Sequence, residues 1–549
     1  MMFVFVRWSG LAAAVFVSGL TTVAWGEGVA FKTVALSGGG VPAIAEGVQW
    51  EGFSGAPSLN NAGQLAFMAS VEGRGINNHS NNLAIVRAGM AGDVDIVARR
   101  GEVAPVGVSG VIFNIINNQV AINNSGEVAF FSLVNSSNAQ FQNRTGLFSE
   151  VDGSLGSVAV PWGQAPSVAP GIDLRVSAGT PVLSEQGGGV FRASLIGGGV
   201  TSSNNLALYT EDGGGARLIA RTGDIAPGAT QIPGLPSLGP AFERFSGLGV
   251  SHLGDVIFTG SWGSASDGIF AHRGGELRQL VRERQFMTGR NDNLFVFDIN
   301  HSTSNRNGQA AFTARVGGPD IDAENNHVVL VEASDLSGEF REVARKGAAA
   351  PGVSSGITFD GFESVVLNNE GGVVFVGALA GDGVVDTNNS GLFVEANGVS
   401  QTLSLLAREG EQAAGVEADV HYARLHSAML NDLGHTVFLA DLAGEGVGDT
   451  NDQAIFATDL DGVVHLLARE GDLFDVDDTA NESLHSIRTL GIAIGDTAGV
   501  PRGLNDAGQV AIKLSFSGSS GIFLTTLPVP EPGTAVLMAG GLWGLLRRR

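Results

Sequence analysis

One short pattern returns along this chain too regularly to be accidental. Asn-x-x-Gly-x-x-Ala-Phe stands at Asn60 to Phe67, at Asn123 to Phe130 and at Asn305 to Phe312. Looser copies begin at Ser184, Ser251, Asn368, Asn431 and Asn505, and successive starts lie 63, 61, 67, 54, 63, 63 and 74 residues apart. A second element, Val-Ala-Arg-x-Gly, keeps closer time. Its Arg position falls at Leu36, Arg99, Val160, Arg221, Arg282, Arg345, Arg408 and Arg469. A third, of the form Gly-Leu-Phe, ends at Val86, Phe148, Tyr209, Phe270, Leu330, Phe393, Phe456 and Phe523. A chain built this way folds as copies of one unit, each too short to bury a core alone.

The elements are short, rich in Val, Ile, Leu and Phe, and bounded by Gly, Asn or Asp, which is the pattern of strands between turns. The Asn side chain closes an Asx-type turn and the Gly supplies a positive φ before the chain extends. Between Val-Ala-Arg and Asn-x-x-Gly lies a further apolar stretch, such as Leu294 to Phe297, so each unit supplies about four strands. Asp-Gly pairs such as Asp152-Gly153 and Asp461-Gly462 suit tight hairpins between the third element and the second. The expected fold is all-β: a closed eight-bladed β-propeller with about four antiparallel strands per repeat. The body starts with a Val-Ala-Arg-type strand at Val34 and finishes with a Gly-Leu-Phe-type strand at Gly521 to Leu524. Those two form a hairpin in every other unit, so in a ring they pair across the gap and leave no free edge. A seven-bladed ring with one aberrant unit and a string of β-sandwiches are the alternatives.

Composition narrows the chemistry. Among 549 residues there is no Cys, which removes disulfides, zinc-thiolate sites and thiol catalysis, and 31 basic residues stand against 55 acidic ones, a net charge of −24. Phosphate binding is driven by Lys and Arg, so nucleic acid is not an expected partner.

The two ends read as addresses. Residues 1–26 have the form of a secretory signal peptide: Arg7, an apolar run from Leu11 to Val17, and Ala24-Trp25-Gly26 before Glu27. At the other end Val529-Pro530-Glu531-Pro532 is followed by an uncharged stretch, Thr534 to Leu546, and by Arg547, Arg548 and Arg549. As a helix that stretch would span about 20 Å, short of a bilayer core, and the arginines fit a positive-inside stop. Residues 529–549 thus form a sorting helix that tethers the chain to the membrane before processing, and 27–528 form the repeat domain. This tail resembles the PEP-CTERM sorting signal of Gram-negative bacteria, which implies exosortase as partner and the cell surface or extracellular space as destination, after transient tethering at the inner membrane. Over residues 34–526 the repeats resemble the bacterial tandem-repeat group named for its NxxGxxAF motif. That likeness implies an exported surface protein and brings no catalytic residues with it.

Candidate chemistry is sparse. The recurring Arg of Val-Ala-Arg is expected to pair with a carboxylate between blades. Two polar loops, Gly381 to Asn389 and Gly444 to Asp452, offer Asp386, Asn388, Asp449, Asn451 and Asp452 as candidate calcium ligands, although neither matches an EF-hand. Gly352-Val353-Ser354-Ser355-Gly356 has the spacing of a nucleophile elbow but lacks the helix such an elbow requires. His421, His426 and His435 are the densest His group, and their spacing fits no zinc motif. No cofactor other than calcium is suggested, and no catalytic residue. The expectation is a non-enzymatic envelope or matrix protein, with exopolysaccharide or another envelope protein as partner. The alternative is a secreted polysaccharide hydrolase or lyase working at the channel mouth. An enzyme should gather unusual acidic, His or Tyr side chains on one funnel, and only two Tyr exist, Tyr209 and Tyr422.

Overall fold

The computed structural model describes residues 30–528, apart from 90–91, 138–141, 160–162, 178, 212–214, 229–240, 263–265, 288–292, 397, 399–401 and 478–482. The signal segment 1–26, the copy at Val160 and the sorting residues Val529, Pro530, Glu531, Pro532, Arg547, Arg548 and Arg549 lie outside the described residues.

Eight antiparallel sheets form a ring, seven of four strands and one whose inner strand is split in two, with no helix among the described residues. Blade 1 consists of Val48–Leu59, Leu65–Gly73, Leu83–Ala88 and Val94–Arg99, from the centre outward. The inner strands of blades 2 to 7 are Ile112–Ile122, Ile172–Val176, Arg244–Val250, Phe295–Ser304, Thr358–Leu367 and Val420–Leu430. Blade 8 is composite. Its inner three strands, Thr489–Gly491, Gln509–Ser515 and Ser520–Thr526, come from the end of the chain, and its outer strand, Phe31–Leu36, comes from the beginning. The junction runs antiparallel from Phe31 opposite Thr525 to Leu36 opposite Gly521. The expected closure, and eight blades rather than seven, are therefore observed.

The repeated motif explains how each blade packs. In all eight blades the last residue of the Asn-x-x-Gly-x-x-Ala-Phe frame lies directly opposite the last residue of the Gly-Leu-Phe element: Phe67 faces Val86, Phe130 Phe148, Phe191 Tyr209, Phe258 Phe270, Phe312 Leu330, Phe375 Phe393, Phe438 Phe456 and Ile512 Phe523. Where both are aromatic the rings stack, as at Phe438 and Phe456, with centroids 5.3 Å apart; such pairs add about 0.5–1.5 kcal/mol beyond their burial. The Gly two places earlier has a steric reason. A Cβ at Gly391 would sit 2.9 Å from the Phe393 ring, which folds back over it. Between blades, alternate side chains of facing sheets interdigitate; Ala66, Ile85 and Ala98 of blade 1 meet Phe113, Val120 and Phe148 of blade 2 in one buried cluster.

The Asn of the motif does more than close its own turn. In the Asn60 turn, Oδ1 accepts the N–H groups of Ala62 at 3.1 Å and Gln64 at 2.8 Å, and Gly63 has a φ of +76°. The amide nitrogen then reaches the next blade and donates to the main-chain carbonyl of the equivalent residue. Asn60 bonds Asn123, Asn123 bonds Ser184, Asn305 bonds Asn368, Asn368 bonds Asn431, Asn431 bonds Asn505 and Asn505 bonds Asn60, all between 2.8 and 3.0 Å. A second girdle runs beside it. The N–H of Asn369 donates to Oδ1 of Asp432 at 2.8 Å, and that of Asp506 to Oδ1 of Asn61 at 3.0 Å.

The Val-Ala-Arg arginines require a correction. Arg99, Arg221, Arg408 and Arg469 donate from Nε, and Arg345 from Nη1, to the main-chain carbonyls of Asn81, Asn204, Asn388, Asn451 and Asn325 at 2.8–2.9 Å, each within its own blade. Of these, Arg469 also reaches Glu417, 2.7 Å away, and Arg345 pairs with Glu342 in the same strand. The links between blades are made by other arginines. Arg87, Arg273 and Arg341 pair with the buried Glu150, Glu332 and Glu395 at 2.8, 2.8 and 2.9 Å, and also donate to the carbonyls of Gly126, Gly308 and Gly371 in the next blade's turn.

The girdle predicts a measurable cost. Asn368 is buried, accepts from Gly372 and donates to Ala396 and Asn431. Asn368→Ala leaves these main-chain groups unpaired and should destabilise the protein by about 2–4 kcal/mol in thermal or denaturant unfolding.

Candidate functional site

The centre of the ring is not an open pore. Residues 492–502, between the short inner strand of blade 8 and the Asn505 turn, lie across it. The carbonyls of Gly499, Ala498 and Arg502 accept the N–H groups of Leu183, Val250 and Leu59 at 2.9, 3.0 and 2.7 Å. Ala498 N–H donates to Ser304 at 2.9 Å, the Ser304 N–H donates to Oγ1 of Thr497 at 3.1 Å, and Arg502 Nη2 donates to the Leu430 carbonyl at 3.0 Å. These partners belong to blades 3, 4, 1, 5 and 7, and each directly precedes its blade's turn Asn or Ser. Blade 5 stands opposite blade 1, so a segment that bonds both must cross the axis. None of the repeated motifs falls within this plug. Its trace in the sequence is the final step between motif copies, 74 residues where neighbouring steps are 63.

The plug also bonds the two blades whose motif begins with Ser. At Ser251 the hydroxyl still accepts the N–H groups of Leu253 at 3.2 Å and Asp255 at 3.0 Å, as the Asn does. It has no amide arm to send onward. Among the described residues no girdle bond joins Ser184 to Ser251; the plug carbonyls on Leu183 and Val250 stitch those blades instead. Gly499 makes this possible, with a φ of +84° and no room for a Cβ, which would sit only 2.6 Å from Cγ1 of Val250 and 2.9 Å from the Leu183 carbonyl oxygen.

Beside the plug, under blades 2 to 4, lies a cavity of about 960 Å³. It forms here because the inner strand of blade 3 stops at Val176 and resumes only as Val182–Leu183. Pro181, in the gap, has no N–H to give to a ladder. The lining includes Gln119, Ser177, Thr180, Arg192, Arg244 and Asp496. Gln119, Ser177, Arg192 and Arg244 are exposed, so solvent reaches it. Among the described residues Asp496 is the sole carboxylate of the lining, and it lies 3.3 Å from Nε2 of His301. The lining holds no Tyr. Tyr209 and Tyr422 are buried within blades, with the hydroxyl of Tyr209 donating to the Pro166 carbonyl and that of Tyr422 accepting from Ala414 N–H, both at 3.2 Å. Burial pushes both phenols up to about 12.

The other sequence candidates do not meet at this cavity. In the two polar loops, Oδ1 of Asn388 accepts the Val385 N–H and Oδ1 of Asn451 the Gly448 N–H, both at 2.7 Å, while their amides donate to Gly383 and Gly446. The same closure occurs at Asn204 and Asn325. Asp386, Asp449 and Asp452 lie on these loops, and among the described residues no group of three or more His, Asp or Glu is placed to hold a metal ion. Ser354 sits in a turn that leads into the strand Thr358–Leu367. His435 is buried in the Asn431 turn, with Nε2 3.2 Å from the Pro528 carbonyl, whereas His426 lies 3.0 Å from Asp441.

Perturbed titrations mark functional sites when they gather in a cleft; several of those in this molecule lie between blades. Burial raises Glu150 and Glu409 and lowers His435. It pushes Glu283, whose carboxylate accepts the Ile299 N–H of the next blade at 3.0 Å, up to about 7, with Asp267 and Asp298 adding to the rise.

A family model described as a family of unknown function (DUF7453) matches residues 13–359 and 334–536. The chain belongs to this family. The PEP-CTERM protein-sorting motif matches residues 528–549, which makes it an exported protein of the bacterial cell envelope or surface and implies processing by exosortase. No curated protein matches the chain. Among solved structures it is similar to a prolyl endopeptidase at 13% identity and a TM-score of 0.40, over 79% of this chain and 54% of that one. It is similar to PorZ, a surface component of the type-IX secretion system of Porphyromonas gingivalis, at 14% and 0.33, over 88% and 59%. A third likeness is to the polysaccharide lyase Uly1, at 9% and 0.30, over 87% and 90%. This chain thus spans little more than half the length of the prolyl endopeptidase, and at these values none of the three bears on activity.

Two outcomes are expected. Gly499→Val should loosen the plug, seen as faster amide hydrogen exchange at Leu183 and Val250 with the blades otherwise intact. Glu283 titrates near 4.5 when unfolded and about 7 when folded. Between those values the folded chain holds a proton that the unfolded chain has released, so stability falls as pH rises through this window. Glu283→Gln, whose amide oxygen still accepts the Ile299 N–H, should flatten that fall in melting curves taken between about pH 5 and about pH 8.

Proposed function

We propose that this family member is a non-enzymatic surface or extracellular-matrix propeller of a Gram-negative bacterium, and that the cavity beside its plug binds polysaccharide. In this reading residues 1–26 are removed on export. The segment 529–549 holds the 27–528 body at the inner membrane until exosortase acts, and the repeats are kin to the NxxGxxAF tandem-repeat group. The acidic loops around Asp386 and Asp449 serve as turns.

The observation that carries the reading is the cavity's chemistry. It is large enough for more than one sugar ring and lined by hydroxyl, amide and guanidinium groups, the set that hydrogen-bonds a polyol. The carboxylate it has among the described residues, Asp496, already has a His partner. Glycoside hydrolysis ordinarily needs two carboxylates about 5–9.5 Å apart, and among the described residues the lining offers one. That lining favours binding over hydrolysis.

The test is a glycan-array and polymer-degradation screen on the mature exported protein, with and without calcium. Retention of polysaccharide without shortening of any polymer is expected. Turnover of a polymer would establish the competing hydrolase or lyase, and dependence of binding on calcium would return the loops at Asp386 and Asp449 to the site.

A further inference from the structure

The sign of the cavity's charge runs against that of the whole chain. Acidic residues outnumber basic ones 55 to 31, and the repeated arginines are committed, either to loop carbonyls or to Glu150, Glu332 and Glu395. Arg192 and Arg244 are different. Both line the cavity and both are exposed. Arg192 leaves the second strand of blade 3 and donates from Nη1 to the Phe245 carbonyl of blade 4 at 3.1 Å, which brings it against the strand that carries Arg244. Among the described residues neither is paired with a carboxylate, and Asp496 is directed to His301. Two guanidinium groups in a concave, partly enclosed space concentrate positive potential on a negative body, and their planar forks match anionic oxygens.

We propose that the cavity takes an acidic saccharide, with Arg192 and Arg244 pairing with a uronate carboxylate and Gln119, Ser177 and Thr180 meeting the ring hydroxyls. The inference rests on the reading of the cavity as a polysaccharide site and names the class of sugar. The two unpaired arginines stand where the repeat is broken, in blades whose motif begins with Ser184 and Ser251. A repeat protein keeps its equivalent positions for the ring, and a binding site is built from the positions that differ.

The test is calorimetric titration of the mature exported protein with uronate oligosaccharides, with galacturonate, mannuronate and glucuronate chains as the probes, against neutral gluco-oligosaccharides of equal length. Uronate binding is expected to exceed neutral binding. It should weaken about tenfold or more in the Arg192→Ala/Arg244→Ala double variant. Arg244→Gln alone, which removes no hydrogen bond seen in the structure, should show a smaller loss in the same direction, so a folding defect in the double variant does not spare the proposal. Arg278→Ala, on an exposed ion pair with Glu276 in the outer strand of blade 4, should bind as wild type. Equal binding of neutral and acidic chains, or uronate binding unchanged in Arg244→Gln, would overturn the acidic assignment and leave the polysaccharide reading standing. Absence of binding to every saccharide tried would overturn both.

Discussion

A primary amide that serves two blades at once holds the ring together. The oxygen of each motif Asn fixes its own turn, and the nitrogen donates to the main chain of the same turn one blade on. Asn is the shortest side chain that carries its acceptor and its donor on separate atoms, so one residue couples local turn geometry to the angle between blades. Because the acceptor is the carbonyl of the next copy, each bond positions the residue that makes the following one. The last link, Asn505 to Asn60, joins positions 445 residues apart in the chain. Beside it the outer strand Phe31–Leu36 pairs with Ser520–Thr526, and the sheet edge that an open array would expose is covered.

Where a hydroxyl replaces the amide, the ring changes character. Ser251 closes its turn but cannot reach forward. Blades 3 and 4 are held instead by the backbone of the plug, and Arg306 of blade 5 reaches over to Glu185 of blade 3 at 3.4 Å. The inner strand of blade 3 is interrupted in the same region, and the space it vacates becomes the cavity. The break in equivalence, the plug and the cavity therefore occupy one part of the channel. A looped segment outside the sheets, with main-chain donors and acceptors to spare, is well suited to fill a ring of strand ends, because each end offers a group that its own sheet leaves unpaired.

Much of this was legible in the residues. The two aromatic positions that the repeats align prove to be direct cross-strand partners in every blade, from Phe67 and Val86 to Ile512 and Phe523, since a period of two along a strand fixes which side chains face each other. The Asx turn at Asn60 was readable for the same local reason. The arginines were misread. Arg408 beside Glu409 suggests an ion pair, but neighbours on a strand point to opposite faces. Arg408 goes to its own loop, while Glu409 is buried against the Leu425 N–H of the next blade. The real latch, Arg87 with Glu150, joins residues 63 positions apart, one period along the chain, and no short motif announces it.

The residues alone determined that eight copies of one unit recur, with about four strands in each, and pointed to the pairing of the first strand with the last. These follow from local patterns repeated at a constant period, and a period needs no knowledge of curvature. Only the tertiary structure decided what fills the middle. Gly499 meets Leu183, and Arg192 meets the strand of Arg244, because bending eight sheets into a ring brings their inner ends within hydrogen-bond reach across the axis. That convergence is a property of the closed circle and belongs to no single repeat.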